Sequence, residues 1–222
     1  STQSRSSAAS DVYKRQVFEL LSPKLIVSSK LFLISIIIST FFGIPLGFYA
    51  AMKQGTPADP AIVSMTLILY AMPVFLTAPL LIIIFALELG WVPVSGWGGI
   101  FDKRAILPAI TVGLPGIAVI ARLMRASTLD VLGQEFITFA KAKGVDKFSI
   151  NFKHVGRNAI LPVVTVLGLS FSGMLGGALI VELIFGIPGV ARFALDAIFS
   201  RDYPIIMALT LIGTASLVVA NL

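Results

Sequence analysis

The 222-residue sequence has no cysteine, which excludes disulfide staples, thiol chemistry and cysteine-based metal sites. It has one histidine, His154. A lone imidazole without carboxylate or thiolate companions at ligand spacing builds no metal site, so His154 is assigned a framework role in its loop. Charge is also scarce: Asp, Glu, Lys and Arg make up 13% of the chain, against about 25% in an ordinary soluble domain. No Gly-x-x-x-x-Gly-Lys-Ser/Thr run is present to cradle nucleotide phosphates. No cofactor is therefore expected on this chain, and any hydrolysis of ATP falls to another protein. The long apolar segments themselves hold no Asp, Glu, Lys, Arg or His. That removes the obvious means of relaying protons or pairing a coupling cation inside a bilayer. It counts against a secondary transporter, although backbone carbonyls at a broken helix can still hold sodium.

What the sequence does hold is apolar surface. Hydrophobic residues make up 57% of the chain and the mean hydropathy is +0.96, values that no soluble domain of this length carries without aggregating. This is an integral membrane protein. Five uncharged segments, 31–52, 61–87, 105–121, 159–181 and 204–222, are each long enough or nearly so to cross hydrocarbon. They are continuous rather than alternating, which selects helices over a barrel. The expected fold is an all-α polytopic helical bundle. Pro45, Pro73, Pro79, Pro108 and Pro115 punctuate the spans and predict bends. Gly173 and Gly177, with Gly176 beside them, form a close-approach face that serves either packing within the chain or a subunit interface. Trp91 and Trp97 read as interfacial anchors. Glu88 and Glu182 stand at span ends, where solvated interfacial carboxylates are expected.

Residues 1–16, STQSRSSAASDVYKRQ, are polar and unlike the rest. They lack the apolar run and cleavage site of a signal peptide and resemble translated linker sequence, so they are set apart as a non-native or disordered leader. The apolar run ending at Leu222 has no basic anchor, and the expectation is a chain truncated at both ends. The segment 122–157 carries Arg122, Arg125, Lys141, Lys143, Lys147, Lys153 and Arg157, which places it in the cytoplasm. Five crossings then put the visible start outside, so a sixth helix is expected to precede it.

That basic segment predicts a helix, an elbow and a second helix. Glu135 near the start and Lys141 and Lys143 near the end suit a helix dipole, and Gly144 is placed to end the helix in a left-handed conformation. Asp146 can cap the next helix, on which Phe148, Phe152 and Val155 recur at helical spacing as one apolar stripe. Such a stripe suits either a groove on a partner protein or an anionic lipid surface.

The same segment resembles the signature loop of ABC-transporter permeases, which reads EAA, three residues, Gly, and later a Leu-Pro opening the next membrane helix. Thr138-Phe139-Ala140 stands at the EAA position, and Gly144 precedes Pro162 by eighteen residues. Ala142-Lys143-Gly144 and Arg157-Asn158-Ala159-Ile160-Leu161-Pro162 are similar to the dipeptide, oligopeptide and nickel branch of that family. So are Gly43-Ile44-Pro45-Leu46-Gly47, Arg122-Leu123-Met124-Arg125-Ala126-Ser127 and the stretch from Val181-Glu182 through Phe185-Gly186-Ile187-Pro188-Gly189 to Tyr203-Pro204.

The resemblance implies a type I ABC importer permease, with 17–222 as the transmembrane domain and about 122–158 as the loop coupling it to ATPases. It implies two ATP-binding subunits carrying ATP and Mg, a second homologous permease and a periplasmic or lipid-anchored substrate-binding protein. Membrane lipid surrounds the chain, and no nucleic acid is involved. The implied location is the bacterial inner membrane, crossed several times, and the implied cargo is di- or oligopeptides. Within the family a nickel or glutathione importer stays open, and outside it a secondary transporter or channel.

Overall fold

The computed structural model describes residues 2–171 and 178–220, with side chains at 19–171 and 178–218. Every regular element among the described residues is helical. Helix α1 is Thr2–Met52, and its backbone runs back through the segment set apart as a leader. It is followed by α2, Ala58–Ala71, and α3, Val74–Leu81, which continues as a π-helix over Ile82–Glu88. A 3-10 turn at Lys103–Ala105 opens α4, Ile106–Leu132. Then come α5, Glu135–Ala142, a π-helix at Ser149–Gly156 and the single turn α6, Arg157–Ala159. Helices α7, Leu161–Ser170, α8, Leu179–Ile184, α9, Val190–Phe199, and α10, Tyr203–Ala220, complete the order.

Two helical stretches, Glu19–Met52 and Lys103–Leu132, are long and apolar enough to cross a membrane. The expected crossing at 61–87 is instead a bent pair, Ala58–Ala71 and Val74–Glu88, turned by 100°. The cause is local. Pro73 supplies no N–H and crowds the residue before it, and Met72 is driven to φ −72°, ψ 118°, an extended conformation. Tyr203–Val218 is a shorter apolar helix. The crossing expected at 159–181 is described as two pieces, α7 and α8, and Gly173, Gly176 and Gly177 lie outside the described residues.

The chain divides into two units. In the first, residues 1–33, 78–108 and 171–222, the loop after α3 is tied down by the Gly96 N–H donating to the Phe185 carbonyl at 2.7 Å. Asp102 accepts from the Arg104 backbone N–H at 2.8 Å and caps the turn before α4. The Arg104 guanidinium, hydrogen-bonded to the same carboxyl, holds it down at about 2. Trp91 is exposed and stacks on Phe85 at 5.6 Å between ring centroids, as suits an interfacial anchor.

In the second unit, residues 34–77 and 109–170, α1 and α4 approach through glycine. A Cβ at Gly47 would enter the Ala121 backbone, and one at Gly43 would meet Ile120 at 2.8 Å. Gly113 and Gly116 on α4 receive Ser35, Ile38 and Ser39 of α1 in the same way, and the Ser39 hydroxyl donates to the Gly113 carbonyl at 2.8 Å. Two backbones that close gain dispersion contacts, which matter most where lipid removes the hydrophobic drive between helices. Near this crossing Ile120 and Met124 of α4 pack with Ala159 and Val163.

Candidate functional site

The basic loop forms as its local chemistry dictates. Helix α5 ends at Ala142 with Lys143 as its cap, Gly144 takes φ +75°, and the chain turns. The Gly144 N–H donates to the Lys141 carbonyl at 3.0 Å and the Val145 N–H to the Ala140 carbonyl at 3.2 Å, satisfying two carbonyls that the helix end would leave bare. Asp146 caps the second helix by accepting from the Ser149 N–H at 2.8 Å. The helix-elbow-helix arrangement is therefore present.

The second helix differs in register. Its eight residues Ser149–Gly156 are π-helical, so side chains five apart share a face. Ile150 and Val155 accordingly turn inward together and form a core with Ile137 of α5. The expected single stripe of Phe148, Phe152 and Val155 is thus split. Val155 is fully buried, whereas Phe148 and Phe152 are exposed and lie 4.6 Å apart, ring to ring. Phe136 and Phe139 of α5 are exposed as well.

The loop is fastened to the membrane helices. Phe48 of α1 and Val131 and Leu132 of α4 pack on the Ile137, Ile150 and Val155 core. The Phe48 ring also meets Phe152 at 5.6 Å. Arg122 and Arg125, expected in the loop, lie on α4, because that helix continues to Leu132. Arg125 grips Asp59 at the start of α2 through two bonds, 2.6 and 2.7 Å, the fork geometry of a guanidinium on a carboxylate. The Arg122 guanidinium sits 4.7 Å from the Tyr70 ring centroid.

The remaining predicted positions are on or beside the same loop. Glu135, Thr138, Lys141, Ala142, Lys143 and Asp146 are exposed, and Ala140 is half-buried. His154 is half-buried, and its carbonyl accepts from the Asn158 side-chain amide at 2.6 Å, which fixes the exposed Arg157-Asn158 turn. Pro162 lies in the first turn of α7, where a missing N–H costs nothing. No group of three or more His, Cys, Asp or Glu able to hold a metal occurs among the described residues.

Glu182 departs from expectation. It is not a solvated carboxylate but 0% exposed. Its carboxyl accepts from the Ser28 hydroxyl at 2.6 Å and from the Arg192 backbone N–H at 2.9 Å, while Ser28 accepts the Val190 N–H at 2.8 Å. One carboxyl and one hydroxyl therefore satisfy the first turn of α9 and bind it to α8 and α1. Gly189 touches the carboxyl so closely that a Cβ there would overlap it. The sequence did hold a signal for this: an acid flanked by Val181 and Leu183 inside an apolar run is costly unless paired.

Residues 43–222 match the family described as binding-protein-dependent transport system inner membrane component. "Probable peptide ABC transporter permease protein y4tP" of Sinorhizobium fredii is 38% identical over 212 residues, 93% of this chain and 68% of that protein. "Oligopeptide transport system permease protein OppB" of Haemophilus influenzae is 38% identical over 207 residues, 92% of this chain and 68% of its own length. A crystal structure of an amino acid ABC transporter with histidines superposes with a TM-score of 0.70 at 19% identity, over 96% of this chain and 93% of the other, a likeness of fold.

Proposed function

The chain belongs to the family of binding-protein-dependent transport system inner membrane components and is a permease subunit of an ABC importer; from that premise we propose that its cargo is short peptides and that the loop at 122–158 couples it to separate ATPase subunits. The peptide assignment is supported by the relatives at 38% identity, whose names specify peptide and oligopeptide transport.

The observation that carries the coupling role is the elbow fastened by the Ile137, Ile150 and Val155 core to α1 and α4. A displacement applied to α5 is transmitted by packed side chains to two membrane helices, because a close-packed core moves as a body. The exposed Phe136, Phe139, Phe148 and Phe152, flanked by Lys141, Lys143 and Lys147, present an aromatic surface with a basic rim to a groove on an ATPase. In this reading two ATPases bind ATP with Mg, close, and drive the loops of this chain and a second permease. The pathway then opens alternately to a substrate-binding protein outside and to the cytoplasm, across the bacterial inner membrane.

The test uses the full permease with its partners. Phe139→Asp places a charge in a desolvated contact and is expected to weaken ATPase pulldown by a few kcal/mol, about a hundredfold in affinity. Phe139 is exposed and outside the loop's own core, so folding is spared. Removing Lys141 and Lys143 is expected to matter less. Unchanged pulldown by both Phe139→Asp and the double lysine variant would defeat docking of the ATPase on this loop. Uptake of labelled di- to pentapeptides by reconstituted complex tests the cargo, and uptake of nickel alone would overturn it.

A further inference from the structure

The network around Glu182 does more than hold α9: it shapes a cleft of about 300 Å³ lined by Lys24, Pro188, Gly189, Arg192, Phe193 and Asp196. Lys24 and Ser28 are four apart on α1 and so share a helix face. Because Ser28 bonds Glu182 and the Val190 N–H, that face of α1 is turned toward α9. Arg192, whose own N–H is bonded to Glu182, and Asp196, one turn further along α9, form the opposite wall. Neither Lys24 nor Arg192 has an ion-pair partner among the described residues. Two cations and one carboxylate thus meet in a pre-shaped cleft, with an aromatic ring beside them.

We propose that this cleft binds the headgroup of a zwitterionic phospholipid, its phosphate between Lys24 and Arg192 and its primary ammonium on Asp196. The height is right. The apolar run 31–52 matches the roughly 20 residues that span hydrocarbon, and Lys24 stands about 10 Å along the helix axis beyond its end, within a lysine's reach of the headgroup layer. An acyl chain finds the exposed Phe199 ring, three residues beyond Asp196 and so on the same side of α9. A peptide also carries both charges, but the headgroup height of Lys24 and the exposed Phe199 beside Asp196 suit a lipid better. The α9 helix, with Val190, Ala191 and Ala197 buried and Ile198 and Phe199 outward, has the amphipathic form of an interfacial element.

The test is lipid retained by the full permease complex, purified from nanodiscs of phosphatidylethanolamine, phosphatidylcholine or phosphatidylglycerol and read by native mass spectrometry. Phosphatidylethanolamine is expected to be retained best, since methylation of its ammonium removes the N–H donors that Asp196 accepts. Lys24→Gln with Arg192→Gln is expected to lower that retention more than tenfold, and Arg192→Lys to preserve most of it. Asp196→Asn, a near-isosteric change at an exposed position, is expected to reverse the preference in favour of phosphatidylglycerol. Equal retention in parent and double variant, with matched thermal stability, overturns the site. Displacement of the lipid by millimolar inorganic phosphate would make it a free phosphate site, and displacement by a short peptide a cargo contact; either result overturns the lipid assignment.

Discussion

Glu182→Ala is expected to release α9. The substitution strands two donors, the buried Ser28 hydroxyl and the part-buried Arg192 N–H, and takes from Ser28 the acceptor that orients it toward Val190. It also leaves a void beside Gly189, which has no side chain to fill it. Each stranded donor costs about 1–3 kcal/mol. Allowing for relaxation, the opening of α9 should become easier by about 3 kcal/mol, roughly a hundredfold in its equilibrium. Glu182→Gln keeps one carbonyl acceptor and should cost about half as much. The absence of cysteine makes the assay clean, since Ala197→Cys introduces a lone thiol at a buried position of α9. Maleimide labelling of that thiol reports opening directly. Labelling rates for Glu182→Ala within twofold of the parent would show that something other than this carboxyl holds the helix.

Three further outcomes are expected. Gly47→Ala puts a methyl into the Ala121 backbone and should destabilise the detergent-solubilised protein by about 1–3 kcal/mol, whereas Gly168→Ala, with open space around it, should be neutral or slightly stabilising; thermal unfolding compares the two. At Gly144 the surroundings are open, so the constraint is its φ of +75° alone: Gly144→Val should cost about 1–3 kcal/mol and uncouple transport while membrane insertion persists, and Gly144→Asn should retain most of the uptake. Reporter fusions at Lys147 and Gly96 should give opposite signals, since the basic loop is read as cytoplasmic and the Trp91–Trp97 loop as external; matching signals would refute that topology.

Membrane class, helical fold and the helix-elbow-helix form of the basic loop were legible in the residues themselves because each depends on short-range chemistry. Hydropathy is additive along the chain, a glycine followed by Val145 and Asp146 needs no distant partner to end one helix and start another, and Pro73 forces Met72 out of helical geometry on its own. Where a side chain faces is decided by whatever else packs there. The stripe through Phe148, Phe152 and Val155 assumed an α-helical period, but burying Ile150 and Val155 together against Ile137 belongs to a π-helical register that residue spacing alone does not reveal. In the same way Glu182 read as solvated, because its partner Ser28 lies 154 residues away. Only the fold brings that hydroxyl and the bare N–H groups of α9 to the carboxyl, turning a costly charge in an apolar run into a fixed joint.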